Sequence, residues 1–135
     1  MSSTEPACPC GRLDAKRRPV PFAQCCGRYL GHFDATPAPD AGSLMRSRYS
    51  AFVREDAPYL LATWHPSTRP PQVDFEPGLK WLGLEVRMHR VTGGQRAEVE
   101  FVARSRLAGR AHRLHERSRF AQEQGRWFYV DGDLL

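Results

Sequence analysis

The chain is predicted to fold as an α+β protein, with a curved antiparallel sheet packed on two helices behind a short N-terminal segment that lacks a core of its own. Three features carry this reading. Apolar residues recur at helical spacing from Ser43 onward, four strand-like runs separated by turn residues fill the last third, and residues 1–42 are rich in Pro, Gly, Cys and charge without apolar periodicity. A chain of 135 residues, 41% hydrophobic and 26% charged, is enough for one modest core.

Leu44, Met45, Tyr49, Phe52 and Val53 define the apolar stripe of a helix of roughly three turns, with Arg46, Arg54 and Glu55 on the solvent side. Asp56 before Ala57-Pro58 has the form of an N-cap before a first-turn proline. Tyr59, Leu60, Ala62, Thr63 and Trp64 then give a second, shorter helix that Pro66 ends. Pro66, Pro70, Pro71 and Pro77 make residues 66–78 a loop.

The strands are expected at Trp81–Val91, Gln95–Leu107, Arg110–Gln122 and Arg126–Asp131, reversing at Gly93-Gly94, Ala108-Gly109 and Gln124-Gly125. Ala97, Val99, Phe101 and Ala103 share one face and Glu98, Glu100 and Arg104 the other, with Val102 as an exception. The resulting meander curves over the helices and leaves a concave interior.

Cys8, Cys10, Cys25 and Cys26 bring four thiols into the segment that cannot fold on apolar burial. In a reduced compartment such a set points to metal before disulfide, and zinc accepts four thiolates while supplying folding free energy. Arg12, Lys16, Arg17, Arg18 and Arg28 would favour the thiolate form. Cross-bridged disulfides, redox thiols and another metal stay open as alternatives. Filled by four protein ligands, a zinc here is structural and leaves no position for a reacting water.

Cys8-Pro9-Cys10-Gly11 and Phe22-Ala23-Gln24-Cys25-Cys26-Gly27 resemble the SEC-C motif, a zinc-binding element found at the C-terminus of the SecA translocase and in other bacterial proteins. Leu44–Phe52, Trp64–Pro70 and His115–Phe120 resemble the YchJ-like family of bacterial proteins. The resemblance spans nearly the whole chain. It implies a zinc-binding segment at 1–36 and, at 37–135, a domain of the nuclear-transport-factor-2-like (NTF2-like, cystatin-like) fold, a cone of curved sheet on helices. The 14 residues between Cys10 and Cys25 exceed the usual spacer, and the basic stretch Lys16–Pro19 is expected to protrude as a loop.

A cone offers its mouth to a ligand, so inward polar side chains are candidate site residues. If Leu114 and Phe120 point inward, alternation carries His112, Glu116 and Ser118 with them and turns Arg113, His115, Arg117 and Arg119 outward. Glu116 then needs a partner, for which Arg46, Arg48, Arg69 and His65 are the candidates. The candidate pocket is Trp64, His65, Arg69, Trp81, Glu116 and Ser118, with Glu116 and His65 as an acid/base pair; the commoner alternative is an internal salt bridge fixing helix to sheet.

The net charge of +5, carried by 18 arginines and only Lys16 and Lys80, permits contact with nucleic acid or an acidic protein. The outward arginine row has no interleaved aromatics, so base-stacking recognition is not indicated. No phosphate-binding glycine loop, nucleophilic serine elbow or helical pair of metal-binding histidines is present, and no catalytic residue is assigned. No apolar run spans a bilayer and Met1–Pro6 lacks a leader pattern, so a cytoplasmic location is expected. The expected role is a non-catalytic adaptor that meets another protein through the zinc segment. The alternatives are a small-molecule binder or enzyme using the cone and, behind it, non-specific nucleic-acid association.

Overall fold

The computed structural model describes residues 5–135; residues 1–4, part of the stretch read as leader-free and of the 1–36 segment, lie outside it. Helix α1 spans Ala41–Val53 and α2 Ala57–Ala62, followed by β1 (Lys80–Gly93), β2 (Arg96–Leu107), β3 (Arg110–Glu123) and β4 (Arg126–Leu134). The strands form one antiparallel sheet in the order β1-β2-β3-β4. Each begins and ends within a few residues of its expected bounds.

Two hairpins reverse at Ala108-Gly109 and Gln124-Gly125, where all four residues have φ between 52° and 78°. Paired left-handed residues make the tight turn whose twist matches the strands it joins. The β1–β2 turn falls at Gly94-Gln95, one residue beyond the expected place. Register shifts at Trp81/Gly83, Val86/Met88, Val91/Gly93 and Arg119/Phe120 each insert an extra residue, and such bulges bend the sheet around the helices.

Helix α1 starts two residues earlier than its apolar stripe suggests, because Asp40 caps it: the Asp40 side chain accepts from the Ser43 amide at 2.6 Å. It is also buried almost all round, with Ser43, Ser47, Arg48 and Ser50 inside. The simple two-faced helix does not hold because the cysteine segment covers the side opposite the sheet. Arg46, expected in solvent, reaches that segment and donates to the Cys10 carbonyl at 3.0 Å. Asp56 caps α2 as expected, accepting from the Tyr59 amide at 3.1 Å.

The chain after α2 meets β4 at a single bridge before it turns at residues 66–68. Trp64 bridges to Tyr129 in parallel, with the His65 amide donating to the Tyr129 carbonyl at 2.7 Å and the Tyr129 amide to the Thr63 carbonyl at 2.9 Å. One hydrophobic core joins all four cysteines, α1, α2 and the inner face of the sheet.

Candidate functional site

The cysteine cluster is built by two short turns laid against α1. The Cys8 amide donates to Val20 and the Gly11 amide to Cys8, folding the first pair into a turn. Single 3₁₀ turns at Phe22–Gln24 and Cys26–Arg28 present the second pair. All four cysteines are buried, and their sulfurs lie within 4.8 Å of one another. Cys10 Sγ and Cys25 Sγ stand 3.6 Å apart, far beyond the ~2.05 Å of a disulfide. A tetrahedron with metal–sulfur bonds of about 2.3 Å has edges of about 3.8 Å, so sulfurs gathered within 4.8 Å of one another are close enough to converge on one ion.

Burial pushes the Cys25 thiol up to about 12. Four thiolates cannot coexist there without a cation, and the residues present therefore form a potential metal site. Of the basic residues expected to help, Arg28 stays at the cluster, donating from Nε to the Cys25 carbonyl at 2.9 Å. Arg18 pairs with Asp14, while Arg46 Nη1 approaches Cys10 Sγ at 3.8 Å and Ser50 Oγ lies 3.5 Å from Cys8 Sγ. The signal for the last two was in the sequence: Arg46 and Ser50 are one helical turn apart.

The second feature is a cavity of about 230 Å³ between α1, the sheet and the Trp64 strap. Its walls are mostly aromatic, and its two charged lining residues are Arg48 and Glu116. Leu114, 36% exposed, stands at its rim. Arg48 is only 5% exposed. Its Nη1 donates to the Leu60 carbonyl at 2.8 Å and to Thr63 Oγ1 at 2.6 Å, and its guanidinium carbon lies 4.9 Å over Trp64 and 4.7 Å over Tyr129. Burial lowers its pKa to about 10, which still leaves it a cation at neutral pH.

Glu116 accepts from Ser118 Oγ at 2.6 Å and from Tyr129 OH at 3.2 Å, both on Oε2. Burial first, then the Glu116 charge, raises the Tyr129 phenol above its ordinary value, so it remains a donor.

Of the residues singled out in the sequence, Trp64, Trp81, Glu116 and Ser118 line this cavity together. His65 and Arg69 do not. Trp64 bridges to β4 with its side chain in the cavity, and its neighbour His65 points away, where Nε2 meets Glu123 Oε2 and Nδ1 meets Ser67 Oγ, both at 2.7 Å. Arg69 is exposed and donates from Nε to the Trp64 carbonyl at 2.9 Å. The expected His65–Glu116 pair is therefore not formed. Nor is the internal salt bridge, since Glu116 makes no ion pair among the described residues and is held by hydroxyls. His112, expected to face inward, is exposed past the cavity's end.

Tyr129 escaped the sequence reading; its pairing with Phe120 across β3 and β4 places it inward. On the outer face Arg104 meets Glu85, Arg117 meets Glu100, and Arg119 meets Asp131 and Asp133, so much of the arginine row is charge-compensated. Val102, the exception to alternation, lies between Glu85 and His115 in register and is fully buried.

A cone of sheet on helices, locked at one side by four converging cysteines, defines an NTF2-like protein with a SEC-C-type cysteine cluster. Residues 40–132 match the family described as YchJ, middle NTF2-like domain. The chain belongs to that YchJ family, whose relatives bear the name UPF0225 protein. One from Polaromonas sp. is 70% identical over 93% of this chain and 91% of its own length, and one from Methylibium petroleiphilum is 63% identical over 94% and 88%. Among solved structures, a SEC-C motif containing protein from Rhodopseudomonas palustris superposes with a TM-score of 0.78 at 30% identity, covering 96% of this chain and 99% of that one. A second, from Psychrobacter arcticus, gives 0.79 at 29% identity over 93% and 80%.

Proposed function

We propose that this chain is a small-molecule-binding protein whose NTF2-like cone is held in shape by a structural zinc ion. The observation that carries the reading is the cavity of about 230 Å³ in which buried Arg48 and half-buried Glu116 line the same space without pairing with each other. Buried opposite charges ordinarily meet, and leaving both with spare hydrogen-bonding capacity costs stability unless something else uses them. The ion is assigned as zinc because four thiolates in a closed tetrahedral set suit it and leave no open position. A reducing, cytoplasmic compartment keeps the thiols available.

The test is a fragment screen by nitrogen-15 NMR on metal-loaded protein. Shift changes clustered on the amides of Arg48, Trp64, Glu116 and Tyr129 are expected. Fragments that perturb only residues elsewhere, or none that bind at all, would refute the reading. Elemental analysis of protein purified under reducing conditions checks the ion, with one zinc per chain expected.

A second reading, docking of another protein on the cysteine segment, draws on one observation. Leu13 is 50% exposed on a loop that also carries Arg12, Lys16, Arg17 and Arg18, and the loop is ordered by Asp14, which accepts from the Lys16 and Arg18 amides at 2.8 and 3.0 Å. An acidic protein surface suits it. Capture of the same partners by intact protein and by a Leu13→Glu variant would remove this reading.

A further inference from the structure

The polar groups of the cone are few, and their valences can be counted. Oε2 of Glu116 holds both hydroxyl donors, Ser118 and Tyr129, and Oε1 accepts from nothing among the described residues. Arg48 uses Nη1 alone, so its Nε and Nη2 N–H groups have no partner there. The cavity therefore offers one strong acceptor and several N–H donors, on walls that are otherwise aromatic or aliphatic.

Charge restricts what can satisfy both sides. Arg48 and Glu116 cancel formally. An anion bound at Arg48 brings a second negative charge into the low-dielectric space that holds Glu116, and a cation bound at Glu116 does the same to Arg48. A neutral molecule with a donor and an acceptor side by side meets each group and leaves no net charge inside. Water can do this too, so a ligand that displaces it gains only by reproducing both kinds of hydrogen bond. A purely apolar occupant forfeits them.

Size and shape add a limit. A protein cavity of about 150 Å³ accommodates benzene. At about 230 Å³ this one has room for a second fused ring, and Phe52, Trp81, Phe101 and Phe120 supply aromatic walls for a flat body.

We propose that the cone binds a neutral, planar, two-ring-sized molecule that carries an N–H donor and a carbonyl-type acceptor along one edge, the N–H directed to Glu116 and the carbonyl to Arg48. This rests on the cone being a ligand site and specifies its ligand class.

Four probes separate the features: quinolin-2(1H)-one, which has the full edge; its N-methyl derivative, which lacks the donor; naphthalene, which lacks the edge; and 2-naphthoate, which adds a negative charge. Each is titrated into full-length, zinc-loaded protein and followed by tryptophan fluorescence, since Trp64 and Trp81 line the cavity. Saturable binding of quinolinone is expected, with the other three at least about 10-fold weaker, the worth of one buried hydrogen bond. In a Glu116→Ala variant the N-methyl penalty should vanish, because donor and carboxylate form one coupled pair. The probe comparison needs no variant, so an unstable Glu116→Ala leaves the test intact. Naphthalene or 2-naphthoate binding as tightly as quinolinone overturns the edge while leaving the cone a ligand site. No saturation by quinolinone at millimolar concentration overturns the ligand class, and the fragment screen then decides the site separately.

Discussion

Arg48 carries its charge into the cone with a carbonyl, a hydroxyl and two aromatic faces to receive it. A buried cation with no carboxylate in direct contact is a structural liability, because the Glu116 charge offsets only part of its desolvation. Arg48→Met keeps the length and the contacts with Trp64 and Tyr129 while removing that cost. Unfolding free energy in urea should therefore change by no more than about 1 kcal/mol or rise. Quinolinone affinity should fall at least about 10-fold. A loss of several kcal/mol would instead mark Arg48 as a strut for α2. Gly132 offers an independent check, because a side chain there meets Glu116: a Cβ would stand 2.7 Å from the carboxyl carbon. Gly132→Ala should displace the carboxylate and weaken quinolinone binding about 10-fold, read by the same titration. Unchanged affinity would show that the carboxylate takes no part in binding.

Among the elements, the turn that presents Cys25 and Cys26 tolerates least change. A Cβ on Gly27 would lie 2.6 Å from the Phe22 carbonyl oxygen, which already accepts from the Cys25 amide at 3.0 Å. Backbone cannot swing aside as a side chain does, so Gly27→Ala must open the turn. Zinc affinity, measured by competition with a chromogenic chelator, should fall at least about 10-fold, an overpacking cost of 1–3 kcal/mol placed at the ligands. Retained affinity would mean that the second cysteine pair does not depend on this turn. The cap of α1 is a milder case: Asp40→Ala should cost about 1 kcal/mol in urea unfolding. Both elements differ in how they could be read from sequence. The strands were legible because period-2 alternation and turn glycines are local signals, and the four strands stand close to where those signals put them. The burial of α1 was not, since Arg46 and Arg48 read as solvent-facing or pairing charges until the cysteine segment is laid over the helix. His65 was misplaced for a related reason. A helical reading continued through Trp64, whereas α2 stops at Ala62 and Trp64 instead bridges to β4.

At the scale of the molecule, α1 is the common wall of both sites. Arg46 and Ser50 contact the cysteines, while Met45, Arg48, Tyr49 and Phe52 face the cavity. The cysteine segment has few apolar side chains of its own, so a metal bound there would supply part of its folding free energy. Stripping the ion with a strong chelator should lower the melting temperature and release one wall of the helix. A cone that depends on α1 for four of its lining residues then binds less well. Quinolinone affinity should fall at least about 10-fold on chelation and recover when zinc is restored, with Cys25→Ser/Cys26→Ser reproducing the weakened state without chelator. Linkage makes the coupling reciprocal: saturating quinolinone must strengthen zinc binding by the same factor that zinc strengthens quinolinone binding. The two factors are measured by different methods, a fluorescence titration and a chelator competition. Factors above unity establish that the two sites are coupled, as a shared α1 wall requires, and a factor of one in both shows that the cysteine cluster and the cone are independent.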